Sequence, residues 1–298
     1  MAEARLFDEQ TLRRLERLSL VARQVRVGVL KGERRSRRRG SAIEFADYRD
    51  YSPGDDLRRL DWNVFARLER PFIKLLEEEE DLAIHVLLDG SASMDWPPDG
   101  SDYHKMNYAL RVTGALAYIG LVVGDQVTVT VLHSAGNRSW GPFRGRQSLL
   151  PLLQFLESVK ASGPTQMNQT LRAYALHARR PGLLFLISDL FSPGGYRQGF
   201  QTLMARGYEL VTIQPLSPDE VNPAPGGDVR FVDVETAGAA ELTLDQVTVD
   251  RYRERLFAWQ AEIAAYLRDR GGRFVSVETS LPWERLVLQT LRIQSVVE

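Results

Sequence analysis

Three short stretches of this chain carry oxygen-bearing side chains where they could converge. Residues 82–89, LAIHVLLD, run into Asp89-Gly90-Ser91-Ala92-Ser93, and residues 183–190, LLFLISDL, carry Ser188-Asp189 near their end. Between them in sequence lies Ser162-Gly163-Pro164-Thr165. In a tight strand-to-helix loop, the first, third and fifth side chains of D-x-S-x-S can meet at one point. The set Asp89, Ser91, Ser93, Thr165 and Asp189 offers carboxylates and hydroxyls with no nitrogen or sulfur donor. Such a set suits a hard divalent ion, Mg²⁺ first and then Mn²⁺ or Ca²⁺. With only two carboxylates the site is under-charged, stays electrophilic and invites a carboxylate from another molecule.

These residues need a scaffold that brings distant loop ends together, and the rest of the chain reads as one. The two apolar runs look like strands buried on both faces of a parallel sheet. Further strands are expected at 127–133, 209–216 and 273–279, with a short antiparallel strand at 138–144 and a hairpin of 229–234 with 241–244. Helices are expected at 105–123, 149–159, 168–178, 196–206, 249–270 and 283–291. Strand and helix alternate from residue 82 to 279, which predicts an α/β fold with a doubly wound, mostly parallel sheet. Ligands of such sheets sit beyond the carboxyl ends of the strands, where strand order reverses. Upstream, an amphipathic helix is expected from Asp8 to about residue 30, then a basic loop at 31–40. Residues 41–66 are dense in aromatic and charged side chains, with a turn at Ser52-Pro53-Gly54-Asp55 and a short helix from Asp56. A strand-like stretch at 71–76 runs into an acidic block at 77–81. Residues 1–80 thus read as a helical and irregular extension, and 81–298 as the α/β domain.

In order and approximate spacing, Asp89-x-Ser91-x-Ser93, Thr165 and Asp189 resemble the metal-ion-dependent adhesion site of von Willebrand factor type A domains. That resemblance implies direct ligation by the serines and threonine and aspartates often acting through water. It also implies a partner's glutamate or aspartate as the remaining ligand. Residues 37–82, RRRGSAIEFADYRDYSPGDDLRRLDWNVFARLERPFIKLLEEEEDL, look very like the signature of a bacterial family known as domain of unknown function 58. Its members join this segment directly to a von Willebrand A-like domain. The resemblance covers residues 37–189 well and the remainder by architecture. Such proteins are commonly encoded beside MoxR-type AAA+ ATPases, which implies a role in assembling or maturing protein complexes. Two positions depart from the pattern: Gly90 stands where a larger apolar residue is expected, and Gln166 where an aspartate is usual.

Composition narrows the alternatives. The chain has 298 residues, 44% hydrophobic and 26% charged, too apolar for a disordered protein. With 38 basic and 39 acidic residues its net charge of -1 gives no global pull toward nucleic acid or an anionic membrane. The absence of cysteine excludes disulfides, thiolate nucleophiles and cysteine metal sites. Only Lys31, Lys74, Lys105 and Lys160 are lysine, so 34 of the 38 basic residues are arginine, a bias read as that of a GC-rich genome. The run from Arg34 to Arg39 has no interleaved aromatic and reads as a solvated linker rather than a nucleic-acid site. The cluster from Asp47 to Asn63 reads equally as an ion-paired layer or a partner-binding surface. His85, inside a buried strand, reads as a core residue, and His133, at a strand end, as a neighbour of the metal-side rim.

No segment approaches the ~20 uninterrupted apolar residues of a membrane span, and the acidic N-terminus does not resemble a secretory signal, so a cytoplasmic location is expected. Neither G-x-x-x-x-G-K-[ST] nor G-x-S-x-G occurs, and no catalytic constellation is recognised. The expected function is a metal-dependent protein-interaction module, acting on a partner with an acidic residue and, as the family resemblance implies, with a MoxR-type ATPase. The alternative is a Mg²⁺-dependent phosphoester hydrolase using the same oxygen site.

Overall fold

The continuous apolar runs become the centre of a six-stranded sheet. In a computed structural model that describes residues 6–22, 43–52, 55, 60–78, 82–98, 100–133, 136–177, 180–232 and 238–297, contacts divide the chain into two units. One comprises Met1–Gln24 with Leu82–Glu298, the other Val25–Asp81. The division thus falls after residue 24, whereas the sequence reading kept 1–80 together.

In the larger unit the strands are β3 (Ala83–Asp89), β4 (Gln126–Leu132), β5 (Arg138–Phe143), β6 (Leu183–Ile187), β7 (Glu209–Leu216) and β10 (Arg273–Glu278). They stand in the order β10-β7-β6-β3-β4-β5. All pairings are parallel except that of β5 with β4. From β3 the chain builds outward through β4 and β5, then returns to the other side of β3 to lay down β6, β7 and β10. The expected doubly wound, mostly parallel sheet is therefore present, and its strand order reverses beside β3. β8 (Gly227–Val232) and β9 (Ala239–Leu244) form the expected separate hairpin.

Every residue of β3, β6 and β7 is buried, as strands covered on both faces must be. On one face Leu87, Leu184, Leu186 and Leu210 pack with residues of α5 (Met167–His177), α6 (Arg197–Ala205) and α8 (Gln246–Arg268), among them Leu171, Phe200 and Ile263. On the other face lies α3 (Lys105–Val123), so close that a Cβ at Gly120 would collide with Ile84 and Val127. α3 is long and apolar enough, by length and composition, to cross a membrane, yet 78% of its most apolar stretch is buried within the protein. Its outer side is covered by α1 (Glu9–Leu15), α4 (Leu149–Glu157) and the C-terminal segment.

Two helices of the larger unit differ from the sequence reading. The first helix is capped by Asp8, whose carboxylate accepts from Thr11 N at 2.6 Å, but it ends at Leu15 instead of near residue 30. Tertiary pairing overrides helical spacing here: Leu20 bridges Val297, and Val21 N donates to Val296 O at 2.9 Å. The expected closing helix is instead Trp283–Arg285 (α9), a π-helical turn at Leu286–Thr290, and Leu291–Ile293 (α10).

The smaller unit holds β1 (Ile43–Asp50) paired antiparallel with β2 (Phe72–Glu78), and between them α2 (Trp62–Leu68). The strand-like stretch at 71–76 is thus β2, extended through Glu78, and its partner β1 was not foreseen. Asp61 caps α2, accepting from Asn63 N at 2.9 Å and Val64 N at 3.2 Å. The run from Arg34 to Arg39 lies outside the described residues.

Candidate functional site

The chain-order reversal puts the ends of β3 and β6 side by side, and the residues singled out by sequence gather there. Asp89, the last residue of β3, is buried, as are Ser91, Thr165, Ser188 and Asp189, while Ser93 is partly open to solvent. The Asp89 Oδ1 accepts from Ser91 N at 3.0 Å and from Thr165 Oγ1 at 3.1 Å. Its Oδ2 accepts from Ser188 Oγ at 2.6 Å. The Ser91 and Ser93 hydroxyls lie 3.0 Å apart. Thr165 comes from the loop between α4 and α5, and that loop is tied to the D-x-S-x-S loop by two backbone bonds. Ala92 N donates to Gly163 O, and Ser162 N to Gly90 O, each at 2.8 Å.

Asp189 sits one residue past Ser188 and is held from three sides. Its Oδ1 accepts from Phe191 N at 3.1 Å, its backbone carbonyl accepts from Gln214 Nε2 at 2.9 Å, and its Oδ2 accepts from Lys105 Nζ at 2.8 Å. The turn that follows is strained: Leu190 has φ +63°, a left-handed conformation costing a leucine on the order of 1 kcal/mol. Its N–H bonds back to Ser188 Oγ at 3.0 Å, which fixes that hydroxyl toward Asp89. Asp89 and Asp189 interact with each other electrostatically. All five candidate ligands therefore come together, with Ser188 as an additional anchor.

Lys105 and Glu220 were not foreseen at this site. Lys105, the first residue of α3, is fully buried, and its ammonium donates to Asp189 and, at 2.6 Å, to Glu220 Oε1. Glu220 lies on α7 (Pro218–Val221), just after β7, where its other oxygen closes a capping box on Ser217. Two signals were available. Lys105 is one of only four lysines in an arginine-rich chain, and a compact ammonium fits a narrow buried position that a guanidinium fork would not. The Ser217-x-x-Glu220 spacing is itself a capping-box pattern.

The electrostatics are asymmetric. Asp189 is matched by Lys105, whereas Asp89 has amide and hydroxyl donors and no ion pair among the described residues. Burial, and then the neighbouring Asp189 charge, push the Asp89 carboxyl above its usual range. Asp89, Asp189 and Glu220 together set three carboxylates against one ammonium. The donors around Asp89 are oxygen only, a carboxylate with the hydroxyls of Ser91, Ser93 and Thr165, and that chemistry fits a hard divalent cation. Among the described residues no cage of three or more His, Asp or Glu is assembled, so hydroxyls would have to serve as ligands.

The histidines separate cleanly. His133, at the end of β4, lies against the backbone of Gly90, where a Cβ would collide with the imidazole. The glycine that departs from the expected pattern is thus the residue that admits this ring to the rim. His85 is a core residue: its ring nitrogens lie 2.8 Å from Tyr174 Oη and 3.0 Å from Arg180 O, and burial lowers its pKa to about 4.

An open, doubly wound sheet with an all-oxygen cluster at its switch point defines the class of protein. Residues 47–262 match the family described as Protein of unknown function DUF58, and the chain belongs to that family. It is similar to the uncharacterized protein Rv1480 of Mycobacterium tuberculosis, with 26% identity over 279 residues, covering 93% of this chain and 87% of that protein. Among solved structures it is similar to the conserved hypothetical protein BatB from Bacteroides thetaiotaomicron, with 14% identity and a TM-score of 0.42, covering 72% of this chain and 98% of that one. It is also similar to a von Willebrand factor type A protein from Catenulispora acidiphila, with 15% identity and a TM-score of 0.42, covering 75% and 43%. The fold assignment rests on the strand order described above.

Proposed function

We propose that this chain is a metal-dependent protein-interaction module whose site at Asp89, Ser91, Ser93, Thr165 and Asp189 captures an acidic residue of a partner protein. A MoxR-type AAA+ ATPase, with a shared role in assembling or maturing protein complexes, is the partner favoured by the family resemblance. One observation carries the reading: Asp89 is a buried carboxylate at the switch point, with no ion pair among the described residues, facing hydroxyls on two loops. Ser91, Ser93 and Thr165 would hold a divalent ion, Mg²⁺ first, with the aspartates acting through water. Once bound, such an ion supplies a Lewis-acidic position for an outside carboxylate. The loops at this end of the sheet also expose Trp96, Tyr103 and Phe191, each at least 40% accessible. Aromatic side chains around a charged centre are the usual anchors of protein interfaces.

The test is capture of the MoxR-type ATPase from the same genome on immobilised protein, in Mg²⁺ and in EDTA. Capture is expected in Mg²⁺, with a loss of about tenfold or more in EDTA and in Asp89→Asn, a change that keeps the side chain's shape. Circular dichroism is expected to show both proteins folded. Capture that is indifferent to EDTA would overturn the metal dependence, and Asp89-dependent turnover of a phosphodiester would favour the hydrolase instead.

A further inference from the structure

Lys105 is the feature of this site that a purely structural role explains least well. A lysine at the head of a 19-residue helix meets the positive end of the helix dipole, where a cation is disfavoured. It is also wholly buried, and burying an ammonium is costly unless carboxylates surround it. An apolar side chain would avoid both costs. The ammonium is retained between Asp189 at the end of β6 and Glu220 beyond β7, joining three strand-end segments. Its backbone N–H donates to Trp96 O at 2.8 Å, and the Trp96 indole in turn donates to Asp219 Oδ2 at 2.8 Å, so α7 is tied to the loop after β3 through Asp219 and to the head of α3 through Glu220.

We infer that the Lys105 ammonium is a resident cation that sets the divalent-metal affinity of the candidate site, a role that rests on the metal reading proposed above. By occupying Asp189 Oδ2 and standing as a fixed positive charge, it leaves Asp89 as the carboxylate of the ligand set without a counter-ion among the described residues. The site therefore binds a divalent ion weakly by itself and gains affinity when an acidic partner adds negative charge. Metal and partner are taken up together, each strengthening the other by the same factor.

The experiment is titration of Mn²⁺ by calorimetry, with thermal melts in parallel, on the wild-type chain, Lys105→Met, and the double variant Lys105→Met with Glu220→Gln. The double variant guards against misfolding, because it removes one of the two carboxylates that the single change leaves without their cation. Against Glu220→Gln alone, titrated as the reference because it differs from the double variant only in the Lys105 charge, the folded double variant is expected to bind Mn²⁺ about tenfold or more tighter. Mn²⁺ is expected to raise its melting temperature, and adding Asp89→Asn is expected to abolish both gains. Mn²⁺ binding that is equal in Glu220→Gln and the double variant would overturn the role of Lys105 while leaving the metal reading intact. Absence of binding in every form would overturn both.

Discussion

At the scale of single residues, the site shows one backbone fold line used for two kinds of burial. β3 places His85 and Asp89 four residues apart in the same covered strand, and each meets burial differently. His85 is neutral in the fold, with a pKa lowered to about 4 from an ordinary 6.5 because the buried ring cannot be hydrated when charged. The unfolded chain therefore binds a proton that the folded chain refuses between those values. The associated stability is complete above about pH 6.5 and is lost as pH falls toward 4, by about 3 kcal/mol in total. Urea denaturation across pH 7 to 4 checks this. The difference between wild type and His85→Leu isolates the term, and the variant is expected to show the flatter dependence. Asp89 has the opposite response, since its raised pKa makes the charged form the strained one.

At the scale of elements, the two ends of the sheet are built differently. The carboxyl ends carry the hydroxyl and carboxylate cluster, while at the amino ends of β7 and β10 Glu209 and Arg273 form a buried ion pair. Removing one partner of such a pair leaves the other charge buried and is expected to cost about 3 kcal/mol or more. Glu209→Gln should show that loss in urea denaturation. Glu209→Leu combined with Arg273→Met should recover most of it, because the pair is replaced by packing. Neither change is expected to alter Mn²⁺ binding, since the pair lies at the far end of the strands. The resulting contrast separates effects on the scaffold from effects on the site.

At the scale of the whole molecule, the first helix belongs to the sheet-bearing unit. Leu15 and Leu18 are buried, Phe7 meets Trp283 edge-on with ring centroids 5.3 Å apart, and Tyr118 Oη donates to Glu16 at 2.7 Å. Leu15→Ala is expected to destabilise that unit by about 3 kcal/mol. Hydrogen exchange should report it as faster exchange of the α3 amides together with those of the sheet. Protection that falls only in residues 6–22 would show the helix to be an independent appendage.

The sequence by itself determined the sheet and singled out the five candidate ligands. Runs such as LAIHVLLD and LLFLISDL are apolar at every position, which a strand covered on both faces requires, and their polar ends mark where ligands can sit. Local chemistry likewise placed the start of the first helix at Asp8 and the D-x-S-x-S loop. Only the tertiary structure decided the early stop of the first helix, the pairing of β1 with β2, the ring of His133 over Gly90, and the Lys105 ion pairs. Those pairs link residues 84 and 115 positions apart in the chain. Burial and long-range pairing leave no periodic trace in the residues that make them, so a lysine at a helix start reads as surface until the fold closes over it.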